Sequence, residues 1–253
     1  VEFVMVGIFE LEDYTGKLLD ASRFRDYCPN GLQVEGRPSI KRLATGVSAS
    51  LASLHAALDA NADAILVHHG WFWRNEDARV VGVKRKRLGL LIEQGVSLFA
   101  YHLPLDAHPE LGNNAQLAKR LGMTVEGWFG EQNVAAHGSL GVPTKLADFA
   151  VRVESALSRK PLVIGEAERV VKRIAWCSGA AQDYFGEALK YGVDAFITGE
   201  ISEHSVHLAH ESGVAFISAG HHATERYGVQ ALGEHLASQF GLEHRFIDID
   251  NPV

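Results

Sequence analysis

Cysteine is nearly absent: Cys28 and Cys177 are the only two in 253 residues, and they form no C-x-x-C pair. That pattern excludes a disulfide framework and a thiolate zinc site, and it fits a reducing, cytoplasmic setting. No apolar run reaches the ~18 residues that a bilayer span requires, so no membrane role is expected. The apolar opening, Val1–Phe9, lacks the basic region and cleavage site of a signal peptide, and Met5 is an alternative natural start. Positive charge is not in excess. The net charge of −7 argues against nucleic-acid binding over the whole surface, leaving only a local basic patch open. A Walker loop, a Gly-rich dinucleotide fingerprint and a Gly-x-Ser-x-Gly elbow are all missing.

What is present is a globular composition, 47% hydrophobic and 22% charged, with length enough for one large α/β domain or two ordinary ones. Residues 9–24 pattern as an amphipathic helix, and Pro29-Asn30-Gly31 reads as a turn before a Leu32-Gln33-Val34 strand. Strands are then expected at Arg42–Val47, up to Val67 and at Val96–Tyr101, with helices at Ser50–Asn61, Leu88–Gln94 and Asn114–Leu121. This alternation predicts a mostly parallel α/β sheet.

The order recurs. Lys41-Arg42-Leu43-Ala44 matches Lys172-Arg173-Ile174-Ala175, and Asp63-Ala64-Ile65-Leu66 matches Asp194-Ala195-Phe196-Ile197, both 131 residues on. His102-x-x-x-Asp106 matches His221-x-x-x-Glu225 at an offset of 119, the difference coming from a longer loop after His69. An internal duplication is the expected cause. It divides the chain into residues 1–125, a first α/β unit with an N-terminal helix, and residues 126–253, a connecting segment plus a second unit. Between the copies, only one helix, Lys145–Leu157, is expected.

Thirteen histidines are a mild excess, and several cluster. Asp63–Gly70 is an apolar strand ending on His68 and His69, and ligands in α/β sheets sit beyond the carboxyl ends of strands. Adjacent side chains on an extended backbone point to opposite sides, so the two imidazoles are expected to hold one ion each rather than share one. If Thr224 and Glu225 begin a helix, His221 and Glu225 lie one turn apart and converge. His68, His69, Asp106, His221 and Glu225 then form a candidate two-metal set with open positions for water. Without sulfur ligands, Zn, Mn, Fe, Co and Ni all remain possible. His222 is an alternative to His221, and His102 is a ligand or a hydrogen-bonding support. A lone histidine at a strand end is ordinarily structural; two adjacent pairs with two His-x-x-x-carboxylates are harder to explain that way.

Glu200 is the duplicate of His69 and is the candidate proton shuttle; His102 is expected to orient Asp106 or contact substrate. Glu200, His204 and His207 fall on one helical face, equally readable as substrate contacts, support for the ligands or a plain polar face. Lys84-Arg85-Lys86-Arg87 reads as the solvated side of a helix, with attraction of an anionic substrate as the functional alternative.

Five stretches, Pro29–Gly36, Val67–Trp73, His102–Asn114, Asp194–Glu200 and Ala219–Glu225, closely resemble the YbgI family, the bacterial branch of the Nif-three-like proteins known as GTP cyclohydrolase type 2 homologues. The resemblance covers nearly the whole chain in order. It implies two similar, intertwined three-layer α/β/α units, a dinuclear metal centre and a ring-shaped homohexamer with its sites facing an internal cavity. It also implies that His68 and His221 bind one ion, His69 and Asp106 the other, and Glu225 both. The activity expected is that of a metal-dependent hydrolase acting on a small anionic, nucleotide- or pterin-like substrate. A two-metal phosphoesterase and a non-catalytic metal-binding or partner-binding ring are the alternatives.

Overall fold

The computed structural model describes residues 5–253; the first four, on which the start-site and signal-peptide expectations partly rest, lie outside the described residues. Two compact units divide the chain. The first runs to Leu105 and takes in Gly228–Asp250; the second holds Asp106–Tyr227 and Asn251–Val253. Among the described residues, no helix is long and apolar enough to cross a membrane.

In chain order the first unit opens with β1 (Val6–Gly7) and α1 (Ile8–Leu18), then β2 (Gly31–Val34), β3 (Ser39–Ile40), β4 (Arg42–Ser48), α2 (Leu51–Asp59), β5 (Ala64–His69), α3 (Gly82–Gln94) and β6 (Ser97–Ala100). The short helix α4 (Leu103–Ala107) follows at the boundary. The second unit continues with α5 (Asn113–Leu121), β7 (Met123–Phe129), β8 (Ala135–Lys145), α6 (Leu146–Leu157), β9 (Leu162–Ile164), β10 (Val170–Trp176), α7 (Phe185–Ala188), β11 (Ala195–Thr198), α8 (Glu203–Ser212) and β12 (Ala215–Ser218). The long α9 (His221–Phe240) and β13 (Glu243–Phe246) complete the set.

The first sheet has the order β13-β4-β5-β6-β2. Its first four strands run parallel and β2 closes the edge antiparallel to β6. Ala64 through His68 are all buried, as expected for a parallel strand covered on both faces. The α2 helix starts where the Ser50 hydroxyl accepts the Ser53 amide at 3.2 Å, and it buries Leu54 and Ala57 beside Ile65, Val67 and Leu98. The α3 helix begins at Gly82, six residues earlier than the apolar spacing predicts, and so takes in the whole basic run. Lys84 is held there by Glu76 at 3.5 Å and by the Asp77 carbonyl at 2.9 Å, while Arg85 and Lys86 are exposed. The first helix is shorter than expected: it stops at Leu18, and Asp20 turns into the left-handed region at φ 49° before a single 3₁₀ turn.

The second sheet has the order β7-β8-β10-β11-β12-β9. Here only β10, β11 and β12 are parallel, with β8 antiparallel to β7 and β10, and β9 antiparallel to β12. Three strands therefore occupy the stretch where one helix alone is expected. The reason is local: glycines and bulges blur the alternation. The β7–β8 register slips between Val125 and Gly127, and a Cβ at Gly138 would overlap the Thr124 carbonyl. Phe149, Val153, Ile174, Trp176, Ile197 and Ile217 form the core of this unit.

Matching registers recur in the two sheets. Leu43 pairs with Ala64 and Ala44 with Ile65; 131 residues on, Ile174 pairs with Ala195 and Ala175 with Phe196. Asp63 accepts the amides of Lys41 and Arg42 at 3.0 and 2.9 Å, and Asp194 accepts those of Lys172 and Arg173, each at 2.9 Å. Each carboxylate thus anchors the start of the neighbouring strand.

Candidate metal centre

In the first unit, three imidazoles gather at the end of β5 and just past β6. His68 is fully buried, and its Nδ1 lies 3.0 Å from the Tyr101 carbonyl. A carbonyl only accepts, so Nδ1 carries the proton and the lone pair sits on Nε2. His69 places Nδ1 3.2 Å from the Ser48 hydroxyl. His102 places Nδ1 2.7 Å from Asp26 Oδ1, while its backbone amide donates to Asn30 Oδ1 at 2.8 Å. The ring centroids of His68 and His69 are only 4.6 Å apart. Strict alternation would separate them, but pairing with β6 ends at Val67, so the last two residues of β5 are no longer confined on that side. The candidate ligand atoms of His68, His69 and His102 all lie within 4.8 Å of one another.

Asp26 is fixed from several directions, accepting from Asn30 Nδ2 at 2.9 Å, the Leu103 amide at 2.9 Å and the Tyr27 amide at 2.6 Å. Burial opposes its charge, but His102, Asn30 and the Tyr27 amide outweigh it and bring the carboxyl down to about 2. Gln33 clamps the loop after His69, accepting the Trp71 amide at 2.7 Å and donating to the Trp71 carbonyl at 3.0 Å. Gly70 is required at this crossing, because a Cβ there would overlap Gln33 Oε1 and Ala100. Trp73 stands edge-on to His102, with centroids 5.0 Å apart.

In the second unit, α9 starts at His221, so His221 and Glu225 are one turn apart and their Nε2 and Oε2 atoms lie 3.2 Å from each other. His221 Nδ1 meets Glu200 Oε1 at 2.6 Å. Burial works against charge on His221, yet Glu225 and Glu200 outweigh it and push the imidazole up to about 9. Asp106 is buried, and its Oδ1 accepts from Asn113 Nδ2 at 2.9 Å and from Ser178 Oγ at 3.1 Å. The Ser178-Gly179 loop is pinned in turn: the Ser178 amide donates to Asn114 Oδ1 at 2.9 Å and the Gly179 amide to Thr224 Oγ1 at 3.0 Å.

Glu200 precedes α8 and does not share a helical face with His204 and His207. Those two are exposed and face other partners: His204 lies 3.6 Å from Asp183, and His207 lies 2.8 Å from Glu203. Asp26, Asn113 and Ser178 were not identifiable as site residues from sequence. Asp26 opens the Asp-Tyr-Cys-Pro-Asn-Gly turn, Asn113 lies in the His102–Asn114 stretch without a role assigned to it, and Ser178 carries no local signal; all three act through contacts to residues 7 to 76 positions away.

The donors are imidazole nitrogen and carboxylate oxygen, a set suited to borderline and hard divalent ions. Burial and the charge of Asp26 push Cys28 up to about 12, and burial with Asp106 and Glu225 pushes Cys177 well above the ordinary thiol range.

An α/β fold with buried His, Asp and Glu groups compatible with metal binding is the class defined so far. The chain belongs to the Duf34/NIF3 (NGG1p interacting factor 3) family, whose model matches residues 7–252. It is 54% identical over 251 residues to a GTP cyclohydrolase 1 type 2 homolog from Pseudomonas aeruginosa, covering 98% of this chain and 99% of that one. A homolog of the same description from Escherichia coli is 48% identical over 245 residues, covering 96% and 98%. Among solved structures, the protein ybgI, described as of unknown function, superimposes with a TM-score of 0.94 at 47% identity, covering 98% of this chain and 100% of that one.

Proposed function

We propose that His68, His69, Asp106, His221 and Glu225 together hold two divalent cations, Glu225 serving both, and that the protein is a metal-dependent hydrolase of small anionic, nucleotide- or pterin-like compounds. The observation that carries the reading is the fixed orientation of the imidazoles: Tyr101 holds His68 and Glu200 holds His221, each through Nδ1, which presents Nε2 as the donor.

Bound divalent cations would supply Lewis acidity, lowering the pKa of water and stabilising charge that develops on the substrate. The chain's own residues do the rest. Glu200 orients His221 and raises its basicity as a ligand, a different task from the proton shuttle expected from sequence. Asn113 and Ser178 fix one oxygen of Asp106, so the carboxylate keeps a single orientation. The descriptions of the Pseudomonas and Escherichia relatives favour a cyclohydrolase-like hydrolysis over phosphoester cleavage. A ring-shaped homohexamer is part of the proposal, and a stable monomer in sedimentation at micromolar concentration would count against it. The activity is tested by screening pools of nucleotides and pterins with metal-loaded protein and with Glu225→Gln as control. Hydrolysis by the parent and not by the variant is expected; no turnover with any candidate metal would favour a non-catalytic ring.

A further inference from the structure

The loop that follows β5 is held in a backbone conformation its residues disfavour. Phe72 takes φ +65° and Asn75 φ +70°, two left-handed residues within four positions. Asparagine enters that region readily, but a side chain as bulky as phenylalanine is an outlier there. Strain of this kind persists only where the surroundings fix it, and it gathers at ligand-binding positions.

Here the strained turn separates three consecutive aromatic residues. Trp71 is buried, with Nε1 donating to the Ala49 carbonyl at 3.0 Å, and Phe72 packs against the core of the first unit. Trp73, between the two left-handed residues, is only half-buried and lies beside the imidazoles instead. Its ring centroid is 5.0 Å from that of His102 and 6.1 Å from that of His69. We infer that Trp73 is the platform on which a planar heteroaromatic ring of the substrate stacks next to the metal centre.

The chemistry left to the indole points the same way. Its Nε1 donates to the Gly70 carbonyl at 3.1 Å, and the Trp73 amide donates to Glu76 Oε2 at 3.1 Å. The Arg74 amide donates to the Tyr27 carbonyl at 2.6 Å, so the loop is pinned on both sides of the ring. The only donor of an indole is Nε1, and it is spent on the chain's own backbone. What Trp73 offers a ligand is therefore its π face. That face carries the negative end of the ring quadrupole, so it gains nothing from a phosphate or carboxylate and favours another flat ring. Trp73 thus selects the ring of the substrate and leaves the anionic group to the cations.

The inference rests on the proposed metal-dependent activity and names the contact that recognises the substrate; the test separates the two. Binding of two ring-bearing probes, GMP and pterin-6-carboxylate, and of ribose 5-phosphate, which has no aromatic ring, is measured by equilibrium dialysis. The protein is full-length and metal-loaded, as wild type, Trp73→Ala and Trp73→Phe, with the metal content of each determined in parallel. The wild type should bind at least one ring-bearing probe more tightly than ribose 5-phosphate. Trp73→Ala should weaken that probe by about 5–150-fold, the range of one stacked base, with ribose 5-phosphate affinity and metal content unchanged. Trp73→Phe keeps a π face and should bind closer to wild type than Trp73→Ala does. The probe should also quench the tryptophan emission of the wild type more than that of Trp73→Phe, and this difference decides the matter if Trp73→Ala does not fold. Wild-type affinity in Trp73→Ala, equal loss of ringed and ringless probes, or no preference for a ring in the metal-loaded wild type would overturn this inference alone. Loss of metal from Trp73→Ala would make the indole a wall of the metal site and overturn the stacking role. No metal in the wild type would overturn the metal-centre reading beneath it.

Discussion

Gly179→Ala tests the position of Glu225 more sharply than replacing Glu225 itself. Gly179 sits at φ +69°, and a Cβ there would overlap Glu225 Oε1, reach within 3.2 Å of its Cδ and lie 3.3 Å from His221 Nε2. The substitution has two separable costs. Holding alanine in the left-handed region costs roughly 1–2 kcal/mol. Making room for the methyl group requires the carboxylate to move by about 1 Å, and a misplacement of that size in a preorganised site can cost about 100-fold. Gly192 provides the control: it has φ +61° in the same unit, with nothing within 4 Å of its Cβ position. Gly192→Ala therefore carries the backbone cost alone. Both variants should melt a few degrees lower, at about 2–4 °C per kcal/mol for a chain of this size. Only Gly179→Ala should weaken metal binding, by about 100-fold in chelator competition. Equal affinities for the two variants would refute the placement of Glu225 in the metal site.

Glu200→Gln should preserve the fold but reduce metal affinity by about 10–100-fold, measured by calorimetric titration, because the amide cannot supply the charge that aligns and strengthens His221. Unchanged affinity with reduced turnover would restore the proton-shuttle role. Burial lowers the pKa of His244, partly countered by Glu234, and Thr45 Oγ1 lies 2.9 Å from its Nε2. At pH above about 6.5 the imidazole is neutral in both folded and unfolded chains and contributes no pH slope. As pH falls through that value the unfolded chain takes the proton first, so stability should drop with acid, and His244→Gln should flatten that part of the profile in urea melts at pH 5 to 7.

How much of this was readable in the sequence follows from the range of the interactions involved. His68 and His69 were legible because a run of buried aliphatics ends on them, and the correspondence of β4 and β5 with β10 and β11 because similar tetrads recur 131 residues on. His221 and Glu225 were legible as an i, i+4 pair once a helix was assumed, and α9 begins at His221. The supports were not legible. Asp26 reaches His102 across 76 residues and Ser178 reaches Asp106 across 72, distances over which spacing carries no information. Strands β7 and β8 were missed because glycines at 127 and 138 and a register slip break the alternation by which strands are recognised. Glu200 lies just past β11, as its place at the Thr198-Gly199-Glu200 strand end implies; grouping it with His204 and His207 on one helical face failed because their i, i+4, i+7 spacing looks helical, whereas α8 begins three residues later at Glu203.

The central claim is that this chain holds two divalent ions through nitrogen and oxygen donors. Metal analysis by mass spectrometry of protein purified after growth in metal-replete medium, without chelators, tests it most directly. Two ions per chain are predicted, falling by at least one in His221→Ala; one ion or fewer per chain in the wild type, under the same conditions, would contradict the claim.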